Sequence, residues 1–152
     1  MKKVVFFLVI ICAGCASFSG MNKRQFHSDL DDKKEIILRV PKGYEEELVR
    51  AEAGKRSEQY YTYGNDALLY VGYKADWQSP NFPMTEASRQ KNVGQNETIY
   101  NGRDPEGRYW KEVQVDSLRF GYCKVPAADK DRFEQAVNSV RHKRKPFWKN
   151  HY

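Results

Sequence analysis

Gly64-Asn65-Asp66 stands between two runs of aromatic, β-branched and apolar residues, Glu58–Tyr63 (EQYYTY) and Ala67–Lys74 (ALLYVGYK). This arrangement constrains the fold more than any other stretch. A Gly-Asn pair between two such runs predicts an antiparallel hairpin, with the glycine accepting the positive φ of a primed turn. Tyr61 and Tyr63 alternate with Tyr60 and Thr62, and Leu69, Val71 and Tyr73 alternate with Leu68, Tyr70 and Gly72. Large side chains on both faces predict a sheet covered at least partly on both sides.

The remaining elements build outward from that hairpin. Arg108–Val115 and Leu118–Val125 read as a second hairpin around Asp116-Ser117, stopped by Pro126. Asp104-Pro105-Glu106-Gly107, ahead of it, has Pro and Gly where a β-turn takes them. Glu35–Val40 (EIILRV) is a strand stopped by Pro41 and Gly43, and Thr98–Asn101 a short strand. Tyr44–Ala53 leaves two readings open, a short helix or an edge strand; its run Glu45-Glu46-Glu47 reads as a solvated face. From Ala127 to His142, Phe133, Ala136, Val137 and Val140 recur at i, i+3, i+4 and i+7, one apolar stripe of a helix. Asp129 and Asp131 fall in its first turn, and Arg141, His142 and Lys143 at its last, as the helix dipole favours. The expectation is a single α+β domain over residues 35–142: a mostly antiparallel sheet of about five to six strands, built from two hairpins and covered by a C-terminal amphipathic helix. This order of elements loosely resembles the small sandwiches of the PsbP/Mog1 type, a likeness of fold that carries no function.

The chain starts differently. Lys2 and Lys3 precede the apolar run Val4–Cys12, and Ala13-Gly14 lead into Cys15. A basic start, a short apolar run and small residues describe a secretory signal. The run falls short of the roughly 20 apolar residues that span a bilayer. Its Ala13-Gly14-Cys15 ending resembles the lipobox of bacterial lipoproteins, with Cys12 standing where the family carries an aliphatic residue. The resemblance implies a signal peptide over residues 1–14, cleavage before Cys15 and acylation of Cys15. Ala16, next to the lipidated residue, implies the outer membrane over the inner by the family's sorting habit. Two acyl chains hold a protein stably on a bilayer.

Three further segments carry weaker signals. Residues 15–34 hold small, polar and charged residues without a period, and read as the lipidated cysteine and a flexible tether. Residues 75–96 form a long polar connection punctuated by Pro80, Pro83 and Gly94, with at most a helical turn or two around Thr85–Gln90. There Trp77, Phe82 and Met84 either pin the segment to the domain or form a contact surface. The tail 143–152 is basic and aromatic. Its Lys143, Arg144, Lys145, Phe147 and Trp148 either cap and pack the end of the helix or contact an anionic envelope surface.

Little in the chain points to catalysis. No HExxH, CxxC, glycine-rich phosphate loop or GxSxG occurs, so no catalytic residue, metal or cofactor is assigned. Cys123 lies in a strand-like run and reads as a small buried hydrophobe. The pair Cys123 and His142 lacks a third group to orient it. Without Lys2 and Lys3 the chain keeps 24 basic against 20 acidic side chains, a net +4. That charge is too small by itself to call for a polyanionic partner, and the compartment excludes nucleic acid. The resulting expectation is a lipid-anchored, non-enzymatic binding or accessory module at the periplasmic side of the outer membrane. Its partners would be the membrane, through the lipid, and an envelope protein or anionic envelope polymer. The alternative is an immunity or inhibitor lipoprotein that blocks a toxin or envelope hydrolase. An enzyme would require a deep pocket with converging polar groups.

Overall fold

The computed structural model describes residues 20–27, 35–52, 56–73, 89–92 and 97–142. Cys15, Trp77, Phe82, Met84, Lys143, Arg144, Lys145, Phe147 and Trp148 all lie outside these residues. Ten strands are described: β1 (Met21–His27), β2 (Glu35–Pro41), β3 (Glu46–Glu52), β4 (Arg56–Thr62), β5 (Leu68–Tyr73), β6 (Arg89–Asn92), β7 (Glu97–Arg103), β8 (Tyr109–Val115), β9 (Leu118–Val125) and β10 (Arg141–His142). A 3-10 turn over Ala127–Asp129 leads into one helix, α1 (Lys130–Asn138). The strands form a three-stranded sheet in the order β1-β2-β10 and a seven-stranded sheet in the order β3-β4-β5-β9-β8-β7-β6. Every pairing is antiparallel. The α+β class, the antiparallel sheet and the C-terminal helix are as the sequence predicts. The strands are more numerous because β1, β3, β6 and β10 carry no strong apolar alternation.

Alternation sets the core. Ile36, Leu38 and Val40 on β2 are buried, as are Tyr61, Leu69, Val71, Phe120 and Tyr122 on one face of the larger sheet. The i, i+3, i+4 stripe of α1, Phe133, Ala136 and Val137, joins the same cluster. Phe133 lies edge-on between Tyr63 and Tyr122, with ring centroids 5.0 and 5.7 Å away. The opposite face of the sheet is buried as well: Tyr70 and Glu112 are wholly inaccessible and Trp110 nearly so. There Tyr70 donates to Glu112 Oε2 at 3.0 Å and Gln114 donates to Oε1 at 2.6 Å. The Tyr70 bond crosses β9 at Gly121, which pairs with Tyr70 on one side and Glu112 on the other. A Cβ at Gly121 would lie 2.9 Å from the Tyr70 hydroxyl and 2.0 Å from the Lys111 carbonyl.

Several local expectations are corrected. Residues 21–27, read as part of the tether, form β1 and pair with β2 along their whole length. Phe26 is buried there and stacks on Tyr73, while Arg24 hydrogen-bonds Tyr44 and lies 3.7 Å from Glu47. Of the two readings of Tyr44–Ala53 the strand holds, with Glu46–Glu52 forming β3 and pairing with β4. Arg89 and Gln90 belong to β6 rather than to a helical turn. In the first hairpin the positive φ falls on Asp66, at 60°, and not on Gly64. A Cβ at Gly64 would meet only the end of the exposed Glu45 side chain, at 2.6 Å from Oε1. The helix is shorter than its stripe. Ser139 Oγ donates to Ala136 O and accepts the Arg39 N–H, each at 2.7 Å, and the chain turns out of the helix. Arg141 therefore sits in β10 beside Ile37, and no basic residue occupies the last turn of α1.

Phe133 holds the helix to the larger sheet, within a buried cluster that also contains the β2 residues. Phe133→Ala is expected to cost about 3–5 kcal/mol, through lost transfer energy and the cavity left behind. Denaturant melts of the full chain check this, and a midpoint near the wild type would mean that the stripe is not a core contact.

Candidate functional site

The seven-stranded sheet is wider than the helix and the three-stranded sheet that cover it. Beyond α1, the face formed by β7, β8 and β9 becomes the floor of a cleft of about 380 Å³, with α1 as one wall. Register places the floor. Asn101 on β7 pairs with Lys111 on β8, which pairs with Tyr122 on β9, and Arg103 pairs with Tyr109. Lys130 and Glu134, one turn apart on α1, complete the lining.

The turn between β7 and β8 sets the cleft's outer end. Gly107 N–H donates to Asp104 O at 2.9 Å, with Gly107 at φ 78°. The Asp104 carboxylate accepts the backbone N–H of Glu106 at 3.0 Å and of Arg108 at 2.9 Å, and the Arg108 Nε–H at 2.8 Å. Burial alone would raise the pKa of Asp104, but these donors outweigh it and hold it below the usual carboxylate range. The same turn presents Arg103 and Tyr109 side by side. A bulge follows, where Cys123 and Lys124 oppose Trp110, with Lys124 at φ 54°.

Three cations and one carboxylate line the cleft. The Arg103 guanidinium carbon lies 4.6 Å from the centre of the Tyr109 ring, and its Nη2 donates to the Tyr109 hydroxyl. Lys130 Nζ lies 4.8 Å from the same ring centre. Two cations are thus gathered around one aromatic ring, each within cation–π range. Glu134 is fully engaged. Lys111 Nζ donates to Oε2 and Tyr122 donates to Oε1, both at 2.7 Å. Burial acts to raise the Glu134 pKa, but the bonds from Lys111 and Tyr122 prevail and lower it. Burial and that carboxylate together push the Tyr122 hydroxyl well up, so it stays a donor. The cleft therefore offers positive charge and N–H and O–H donors, and its carboxylate has both oxygens taken. Such a surface accepts an anion.

Among the described residues no group of three or more His, Cys, Asp or Glu is placed to hold a metal ion. Among the same residues no helix is long and apolar enough to cross a membrane. Cys123 is buried, and burial pushes its thiol pKa up to about 12. None of the sequence-derived contact residues can be compared with the cleft, since all lie outside the described residues. The cleft residues themselves were not singled out by sequence. Their one visible signal was the Asp-Pro-Glu-Gly turn, which brings Arg103 next to Tyr109. No protein-family model matches the chain, and neither a curated protein nor a solved structure matches it.

The ionised Glu134 contributes stability that is present above the carboxylate's unfolded pKa and lost as pH falls through its lowered folded value. Glu134→Gln should lower stability near pH 7 by about 1–2 kcal/mol, since charge-assisted bonds to Lys111 and Tyr122 are weakened at a partly exposed site. Its melts should also be less acid-sensitive than the wild type below about pH 4.5. An unchanged acid limb would remove Glu134 from that account. Cys123 should resist a bulky thiol reagent in the native reduced protein and react after denaturation; fast native labelling would place it at the surface.

Proposed function

We propose that the protein is a lipid-anchored lipoprotein of the bacterial envelope, held at the periplasmic side of the outer membrane. There it would act as a non-enzymatic binding module for an anionic group on an envelope component. The anchor half of this reading rests on the Ala13-Gly14-Cys15 ending after an apolar run too short to span. The binding half rests on one observation, a cleft lined by three cations and by one carboxylate already bonded at both oxygens. A catalytic carboxylate needs an oxygen free to take or give a proton at substrate, whereas Glu134 positions Lys111 and Tyr122 instead. Arg103 and Lys130, both gathered on the Tyr109 ring, would carry the ligand's charge.

The anchor is tested first, on the whole chain. Cys15→Ser should leave an unprocessed precursor in the envelope and abolish labelling by a fatty-acid probe. Labelling that persists in this variant would place the modification elsewhere and overturn the assignment.

A further inference from the structure

The position of Gly20 limits where an anchored domain can sit. Only four residues, Ala16–Ser19, separate Cys15 from Gly20, where the described chain begins. Whatever path they take, that stretch spans at most about 18 Å. Acylated at Cys15, the domain cannot swing away from the bilayer. The end of the molecule that carries Gly20 must face the bilayer.

That end also carries the cleft. Gly20 O accepts the Lys42 N–H at 2.8 Å, and Lys42 O in turn accepts Arg132 Nη2 at 3.0 Å. Arg132 belongs to the first turn of α1, and two residues before it Lys130 lies on the Tyr109 ring inside the cleft. The turn Asp104–Gly107, next to Arg103, lies at the same end, because Tyr109 pairs with Val125, just before the start of α1. The opposite end holds the β8–β9 turn at Asp116 and Ser117.

We infer that the cleft binds the anionic phosphate headgroup of a lipid in the leaflet that anchors the protein. The inference deepens the binding reading above and rests on acylation of Cys15. It has a distinct physical content. Glu45, Asp66, Asp104, Glu106, Asp129 and Asp131 lie toward this end among Lys42, Arg108, Lys124 and Arg132, with Arg108 and Arg132 paired to acids, so the surface around the cleft is of mixed charge. Inside the cleft three cations face one carboxylate: Arg103 and Lys130 share one ring, and Lys111 is fixed by Glu134. A short tether supplies the rest, by keeping headgroups at high local concentration before a cleft too weakly charged to gather anions from solution.

The test uses the full lipidated chain in nanodiscs of phosphatidylcholine, with or without phosphatidylglycerol. A photo-crosslinking residue is placed at Asn101, in the cleft, or at Asp116, at the far end. Lipid adducts at position 101 should rise at least about fivefold with phosphatidylglycerol, and position 116 should give none. Each of Arg103→Gln and Lys130→Gln should reduce the rise by about fivefold, the share of one cation near an anionic surface. Equal adducts in the two lipids, or adducts at position 116, would overturn the inference, and the wild-type comparison does so without relying on any variant's folding. Inorganic phosphate that binds the protein in detergent while position 101 gives no lipid adduct would make the cleft a site for free anions. Adducts to polysaccharide or protein in intact envelopes would transfer it to another partner. An intact mass without acyl chains on Cys15 would fail the anchor reading itself, and separates that failure from one in the cleft.

Discussion

Phe133 is the contact on which the rest of the structure depends. Its ring meets Tyr63 and Tyr122 edge-on and lies in the single buried cluster that contains Ile36, Leu38 and Val40 of β2. Two sheets and a helix thus share one core. Loss of a buried Phe, at about 3–5 kcal/mol, is a large fraction of the 5–15 kcal/mol that holds a domain together. Because α1 is held there, its exposed edge is fixed against β8 and β9, and the cleft has a rigid wall.

Polar groups fix what the apolar core leaves loose. Tyr122 reaches the core with its ring and Glu134 with its hydroxyl, so one side chain joins the cluster to the cleft. Lys111, from the neighbouring strand, completes the bond to Glu134. On the other face Tyr70 reaches Glu112 over Gly121, a path open only because position 121 has no side chain. Arg24, Tyr44 and Glu47 do the same between the smaller sheet and β3. The buried pair of Tyr70 and Glu112 specifies one arrangement more than it stabilises it, since a mispaired neighbour leaves a buried polar group without a partner.

The cleft follows from a mismatch of widths. A seven-stranded sheet covered by a nine-residue helix and a three-stranded sheet leaves part of one face open. On that open part the inward alternation continues, but with Asn101, Arg103 and Lys111 in place of apolar residues. Positive charge and donors then converge where a core would otherwise form. The binding reading is a statement about that convergence and about how close a lipid on Cys15 would hold it to the bilayer.

Strong local signals were legible in the residues alone. The two hairpins, the Asp104–Gly107 turn and the Phe133 stripe rest on backbone preference and on burial patterns a few residues long, which a sequence displays directly. Residues 21–27 were not legible. With only Met21 and Phe26 as large apolar side chains, they are a strand because β2 offers a paired edge, and strand preference depends on such neighbours. The end of the helix at Asn138 was decided by Arg39, a hundred residues away, whose N–H holds Ser139. The cleft was hidden for the same reason. Arg103, Lys111, Lys130 and Glu134 are separate surface charges in the sequence, and only sheet register and the seat of Phe133 bring them together. Sequence by itself determined the class of the fold and its covering helix; tertiary packing decided which charges share a site, because those contacts join residues with no local relation.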